Sequence, residues 1–223
     1  MKVKICGLFR EQDIDYVNEA RPDYCGFVFA ESKRQVSAEL AGRLRQCLAD
    51  GITAVGVFVN APIEDIIALY RDGTINIAQL HGDEDEQYIA QLKEATGDTP
   101  IPIIKVIKNL SLNTNHGVHG VSRRKDDFRI KNSVYSVVNS STDYYLLDSG
   151  AGSGKPFDWD LLNSLDIDKP WFLAGGINLD NIKQAMAVSP FGIDISSGAE
   201  TGGVKDREKI VQLVSTIRKE KTV

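Results

Sequence analysis

Short, continuously apolar runs alternate along this chain with longer stretches in which apolar residues recur every three or four positions. The runs occupy residues 3–5, 24–29, 54–59, 76–80, 103–107, 144–147, 171–174 and 192–195. They are rich in β-branched and aromatic residues and show no polar alternation, as expected of strands buried on both faces. The helical period runs over residues 11–20, 37–49, 62–71, 84–95, 159–164, 178–188 and 205–219. Ile63, Ile66, Ile67 and Tyr70 fall on one helical face, as do Ile210, Leu213, Val214 and Ile217. Ser37 and Pro62 are start signals, one through a capping hydroxyl and the other through its fixed φ.

Strand–helix alternation predicts a parallel sheet built by right-handed crossovers. Eight repeats predict closure into one (β/α)8 TIM barrel, a single α/β domain over residues 1–223. The alternative is an open doubly wound sheet, which usually carries GxGxxG after its first strand. Here the first strand runs into Cys6-Gly7-Leu8-Phe9-Arg10, without that fingerprint. The spacing between strand starts is uneven: the step from residue 103 to 144 is 41 residues, against about 25 for the others. It contains residues 109–132, rich in Asn, Ser, Gly, Lys and Arg, which read as an extended loop. Residues 131–139 are the candidate for a weakened fifth helix.

Composition narrows the function classes. Hydrophobic residues make up 42% and charged residues 26%, which excludes collagen, coiled coil and wholesale disorder. Lys and Arg number 26 against 31 Asp and Glu, and a net charge of −5 argues against a dedicated nucleic-acid partner. No apolar run approaches the length of a membrane span. The opening MKVKICGLFR does not read as a signal peptide, so a cytoplasmic protein is expected. Three cysteines without a CxxC pair argue against a disulfide framework or a zinc ribbon. Cys25 and Cys47 are expected to be packing residues. His116 and His119 have no further ligand nearby, and no metal site is expected.

In this barrel, active sites sit at the C-terminal ends of the strands and in the loops that follow. That rule turns the strand order into a short inventory. Cys6 ends strand one and Asp148 closes strand six, which makes them a candidate base and acid on different sides of a bound ligand. A thiol serves as a base only where its surroundings stabilise the thiolate, and an Asp as an acid only where its pKa is raised. Against this stands the usual fate of Cys, a small buried core residue. Arg34, after strand two, suits a planar carboxylate, or is a solvated loop charge. His81 follows strand four, either as a polar support of the mouth or as a titrating group. Lys105 lies within strand five.

Gly175 and Gly176 follow strand seven, and Asp194 lies on strand eight ahead of Ser196, Ser197 and Gly198. Small residues and hydroxyls at these two loops fit a phosphate site, or simply a pair of tight turns. The loop after strand six, Gly150-Ala151-Gly152-Ser153-Gly154-Lys155, lacks the first glycine of a nucleotide P-loop and has Pro156 in place of its Ser or Thr. A lid over the barrel mouth explains its glycines better.

Six segments in register at the strand ends now resemble one family. They are Lys4-Ile5-Cys6-Gly7-Leu8, Ser32-Lys33-Arg34-Gln35-Val36-Ser37, Gln79-Leu80-His81-Gly82, Leu146-Leu147-Asp148 with Gly154-Lys155-Pro156-Phe157-Asp158-Trp159, Leu173-Ala174-Gly175-Gly176-Ile177, and Asp194-Ile195-Ser196-Ser197-Gly198-Ala199-Glu200 with Gly203-Val204-Lys205-Asp206. Together, over nearly the whole chain, they resemble the phosphoribosylanthranilate isomerase family of tryptophan biosynthesis. The resemblance implies a cofactor-free Amadori rearrangement of N-(5′-phosphoribosyl)anthranilate to 1-(2-carboxyphenylamino)-1-deoxyribulose 5-phosphate. It implies Asp148 as general acid, Cys6 as general base, Arg34 on the anthranilate carboxylate and loops seven and eight on the phosphate. His81 and Asp194 are expected among the substrate-binding residues. The partner is then a small phosphosugar-anthranilate, and the chain a monomer or homodimer.

This chain departs from the family pattern at Phe9, where Thr is usual, at Pro156, and in the length of residues 109–132. The competing readings are another phosphosugar barrel or a non-catalytic phosphate-binding barrel. The sugar isomerase of histidine biosynthesis would be expected to carry Asp where this chain has Cys6. Indoleglycerol-phosphate synthase would be expected to use Lys and Glu at several strand ends.

Overall fold

The computed structural model describes residues 1–108, 141–148 and 167–219. The expected long loop at 109–132, the weak helix at 131–139, the glycine-rich loop after strand six, the helix at 159–164, and His116 and His119 lie outside them. Eight parallel strands close into a barrel in chain order. They are β1 (Lys2–Cys6), β2 (Tyr24–Val28), β3 (Thr53–Phe58), β4 (Ile77–Leu80), β5 (Ile103–Ile107), β6 (Tyr144–Asp148), β7 (Trp171–Ala174) and β8 (Gly192–Ile195). Closure is made by β1 against β8, with Lys4 in register with Asp194 and Ile5 with Ile195. The expected barrel is therefore present, and the open sheet is not.

Successive side chains of a strand point to opposite faces, so each strand feeds two cores. The inner one contains Val55, Ile77, Ile104, Val106, Leu146, Phe172 and Ala174. The outer one packs the other face of each strand, such as Val3, Ile5, Phe27, Leu147 and Ile193, against the helices. Both faces being dry is why the strands read as unbroken apolar runs. The floor of the barrel is aromatic: Phe172 meets Tyr24 and Phe191 edge-on, each at 5.4 Å between ring centroids, and Tyr144 lies against Phe172 and Phe191. This seals the N-terminal ends of the strands and leaves the C-terminal ends to form the cavity.

The described helices are α1 (Glu11–Ala20), α2 (Ala38–Gln46), α3 (Ile63–Arg71), α4 (Glu86–Ala95), α5 (Ile182–Ala187) and α6 (Arg207–Lys219). The Ser37 hydroxyl accepts the Leu40 N–H at 3.1 Å and starts α2. Asp85 does the same for α4, accepting from Tyr88 N–H at 2.8 Å. Ile210, Leu213, Val214 and Ile217 form the buried face of α6, as the period predicts. Two details differ from expectation. Lys205 does not begin the last helix, because β10 (Val204–Lys205) pairs antiparallel with β9 (Glu200–Thr201) in a small hairpin. Cys25 is buried as expected, but Cys47 is exposed: it caps the C-terminus of α2, and its neighbours Leu44 and Leu48 take the core positions there. No helix among the described residues is long and apolar enough to cross a membrane.

Candidate active site

The alternation along the strands decides which polar side chains enter the barrel. Lys4 and Cys6 on β1, Gln79 on β4, Asp148 on β6 and Asp194 on β8 share the inward parity of the apolar inner residues. Above the inner core, a cavity of about 570 Å³ opens at the C-terminal ends of the strands. Cys6, Arg34, Gln79, His81, Asp148, Asp194, Gly175, Gly176, Ser196 and Ser197 all line it. Nearly every residue nominated from the sequence thus meets in one chamber. Gly198 does not line it. A Cβ on Gly198 would lie 1.8 Å from the Ile177 carbonyl oxygen, so this glycine lets loops seven and eight pack directly on one another. Gly175 and Gly176 both adopt positive φ, 104° and 62°, at the loop-seven rim.

Beneath the cavity lies an ion pair that sequence reasoning missed. The Lys4 ammonium, fully buried, donates to the Asp194 carboxylate at 3.0 Å. Burial alone would lower the Lys4 pKa, but the charges of Asp194 and Cys6 and hydrogen bonds to them hold it above its ordinary value. Lys4 therefore remains charged directly beneath Cys6. The Cys6 thiol is pushed up by burial, and Asp194 adds to this; the Lys4 charge and hydrogen bond, and Lys205, pull the other way. Burial prevails, so the surroundings favour the thiol rather than the thiolate that the sequence reading required. Lys4 is the group that most opposes this.

His81 Nε2 stands 3.9 Å from Asp148 Oδ2 across the mouth, beyond hydrogen-bonding distance. Burial lowers the His81 pKa despite the nearby Asp148, with Lys108 and Lys4 adding to the fall, so its surroundings favour the neutral imidazole. Its loop is held from below. Glu84 Oε1 accepts the Asn60 N–H at 2.7 Å, and Oε2 accepts the Gly82 N–H at 2.9 Å and the Lys105 ammonium at 2.8 Å. Lys105 also donates to the Gly82 carbonyl at 3.1 Å. Its parity on β5 sends it outward, away from the cavity, so this lysine is a brace for the His81–Gly82 turn.

Arg34 reaches the rim from the loop after β2, but not as a free cation. Its Nε and Nη2 donate to both oxygens of Glu200 at 2.6 and 2.7 Å. Lys205, whose side chain is fully buried, donates to Glu200 Oε1 at 2.6 Å and to the Ser196 carbonyl at 3.0 Å. Burial pushes the Glu200 carboxyl up, but the hydrogen bonds and charges of Arg34 and Lys205 bring it below the usual carboxylate range. The β9–β10 hairpin thus ties the loop after β8 to Arg34 and fixes the plane of the guanidinium. Among the described residues, its side-chain hydrogen bonds engage two of its five N–H groups. Glu200 and Lys205 occur in the motif after strand eight, yet nothing local in the sequence links them to Arg34.

A chamber with a buried thiol, a carboxyl, a guanidinium and small-residue loops in its lining suits proton transfer on a phosphorylated, carboxylate-bearing molecule. Comparison with known proteins agrees. The profile of the family described as N-(5′-phosphoribosyl)anthranilate (PRA) isomerase matches residues 3–216. A relative named N-(5′-phosphoribosyl)anthranilate isomerase, from Endomicrobium trichonymphae, is 44% identical, with 97% of this chain and 98% of that one covered. The crystal structure of phosphoribosyl anthranilate isomerase from Thermotoga maritima superposes with a TM-score of 0.77 at 30% identity, covering 98% of this chain and 99% of that one. A phosphoribosyl anthranilate isomerase in complex with reduced 1-(o-carboxyphenylamino)-1-deoxyribulose 5-phosphate superposes with a TM-score of 0.75 at 31% identity, again covering 98% and 99%. With motif order, barrel and full-length similarity in agreement, this chain belongs to the phosphoribosylanthranilate isomerase family.

Proposed function

We propose that this chamber carries out the family's aldose–ketose isomerisation with Asp148 as general acid and Cys6 as general base. The substrate is N-(5′-phosphoribosyl)anthranilate and the product 1-(2-carboxyphenylamino)-1-deoxyribulose 5-phosphate. Asp148 gives a proton to the furanose ring oxygen, the C1′–O bond opens, and the nitrogen lone pair forms an iminium. Cys6 takes the C2′ proton, and the resulting enolamine tautomerises to the ketone. Hydrogen is moved within one molecule, so the net change calls for no external oxidant or reductant. As a biosynthetic enzyme, the protein is assigned to the cytoplasm.

One observation carries the reading: Cys6 and Asp148 enter a single cavity from strands one and six, and Arg34, Gly175, Gly176, Ser196 and Ser197 line the same cavity. Arg34 offers its guanidinium to the anthranilate carboxylate, and loops seven and eight hold the phosphate. Asp194 acts from below, keeping Lys4 charged beneath Cys6. His81, in surroundings that favour the neutral imidazole and close to Asp148, lines the mouth as a hydrogen-bonding support. The Lys4 ammonium favours the thiolate as the proton is taken, against burial, which favours the resting thiol. The decisive assay generates phosphoribosylanthranilate in situ and follows the loss of its fluorescence. Acceleration above the spontaneous background is expected, and its absence with folded protein refutes the reading.

A further inference from the structure

The inner face of β2 carries no side chain at the level of Cys6. Gly26 is buried, pairs in register with Cys6 on β1 and with Val55 on β3, and shares the inward parity of Tyr24 and Val55. Glycine weakens a strand, and inside one it often marks a close approach. Gly26 does not adopt a positive φ, so its backbone conformation is open to any residue. What excludes a side chain is space. A Cβ on Gly26 would lie 2.6 Å from the Cys6 sulfur, 3.2 Å from the Cys6 Cα and 3.3 Å from the Cys6 Cβ. The other glycines of the described strands differ. A Cβ on Gly56 would first meet the ring of Phe58, and one on Gly192 the ring of Phe172, which is core packing.

The two strands cannot part to make the room. The Gly26 carbonyl accepts the N–H of Gly7 at 2.9 Å and of Leu8 at 3.0 Å, which pins the turn directly after Cys6 to β2. The sulfur is the atom free to move. We propose that Gly26 is a positioning residue: its bare inner face is the seat of the Cys6 sulfur and holds the thiol where it takes the substrate proton. This rests on the reading of Cys6 as general base. Gly26 is not among the residues that line the cavity, so it acts through Cys6 and not on the substrate. In its seat the sulfur also keeps its hydrogen bond with the Lys4 ammonium. An approach of 2.6 Å must relax to an ordinary contact of about 3.5 Å, so a methyl group at position 26 drives the sulfur about 1 Å away from β2. A reacting group misplaced by that much slows the step by about 10²-fold, while the groups that bind the substrate stay in place.

The test is Gly26→Ala, made alone and together with Cys6→Ala. In the single variant kcat is expected to fall about 10²-fold with KM within about twofold of wild type. The thermal midpoints of wild type, the two single variants and the double variant close a cycle. Gly26→Ala is expected to lower the midpoint when the sulfur is present, and to lower it less in the Cys6→Ala background, where the nearest obstructing atom is gone. A purely structural role for Gly26 predicts the same drop in both backgrounds, and that result overturns the proposal. So does an unchanged kcat, or a rise in KM that accounts for the lost activity. If Gly26→Ala does not fold, the cycle is read on folding alone: a folded double variant supports the seat, and an unfolded one overturns it. Near-normal turnover in Cys6→Ala overturns the reading of Cys6 as base and the seat with it. An inactive Cys6→Ala beside an indifferent Gly26→Ala overturns the seat alone.

Discussion

Glu200→Gln is the substitution that most directly tests how Arg34 is held. Glu200 accepts both arms of Arg34 and the ammonium of Lys205, and the Lys205 side chain is fully buried. In the glutamine variant the two cations lose their shared anion, and Lys205 keeps only the Ser196 carbonyl and a neutral amide oxygen. Breaking one side of a buried ion pair costs about 3–5 kcal/mol. The lower end applies, because the amide still accepts one hydrogen bond and because burial already draws the Lys205 pKa down, giving that lysine the option of shedding its proton. A loss of about 3 kcal/mol in a domain of this size is a drop of roughly 6–12 °C in midpoint. Urea and thermal unfolding at pH 7 measure it. The folded-state pKa of Glu200 is depressed, so its contribution is complete above the unfolded carboxyl value and is lost as pH falls through the folded value. The gap between wild type and variant is therefore widest at neutral pH and closes toward acid. Adding Lys205→Met removes the stranded charge, and the double variant is expected to recover most of the loss. A gap below about 1 kcal/mol at pH 7, or one that does not narrow on acidification, refutes the argument that Glu200 anchors this corner.

Three further outcomes follow from the same geometry. Cys6→Ser and Asp148→Asn should each lower kcat by at least about 10²-fold with folding intact, and near-normal turnover in either would remove its assigned role. Arg34→Ala should act mainly on KM; a collapse of kcat at unchanged KM would give Arg34 a different task. Gly198→Ala forces the Ile177 carbonyl to move, since the added Cβ would sit 1.8 Å from its oxygen. It should weaken competitive inhibition by inorganic phosphate and lower the thermal midpoint, and a variant matching wild type in both would mean that loops seven and eight do not form one rigid phosphate wall.

The strands, most of the helices and the positions of the site residues were legible in the sequence because they depend on local information. A strand buried on both faces must be apolar along its length, and a helix on the barrel must be apolar on one side. Knowing that chemistry gathers at C-terminal strand ends then singles out Cys6, Arg34, His81, Asp148 and the glycines and serines of loops seven and eight. Partnership is another matter. Lys4 and Asp194 are 190 residues apart in the chain, and Arg34 and Glu200 are 166 apart. They meet only because β1 closes on β8, and no local pattern records that closure. Likewise, Lys105 reads as a site candidate until strand parity turns it outward to Glu84. Lys205 reads as helix until its pairing with Glu200 holds it extended. The sequence by itself determined which elements form and which residues reach the mouth of the barrel. Only the tertiary structure decided which charge faces which and how burial moves each proton, because these depend on distances across the closed barrel rather than along the chain.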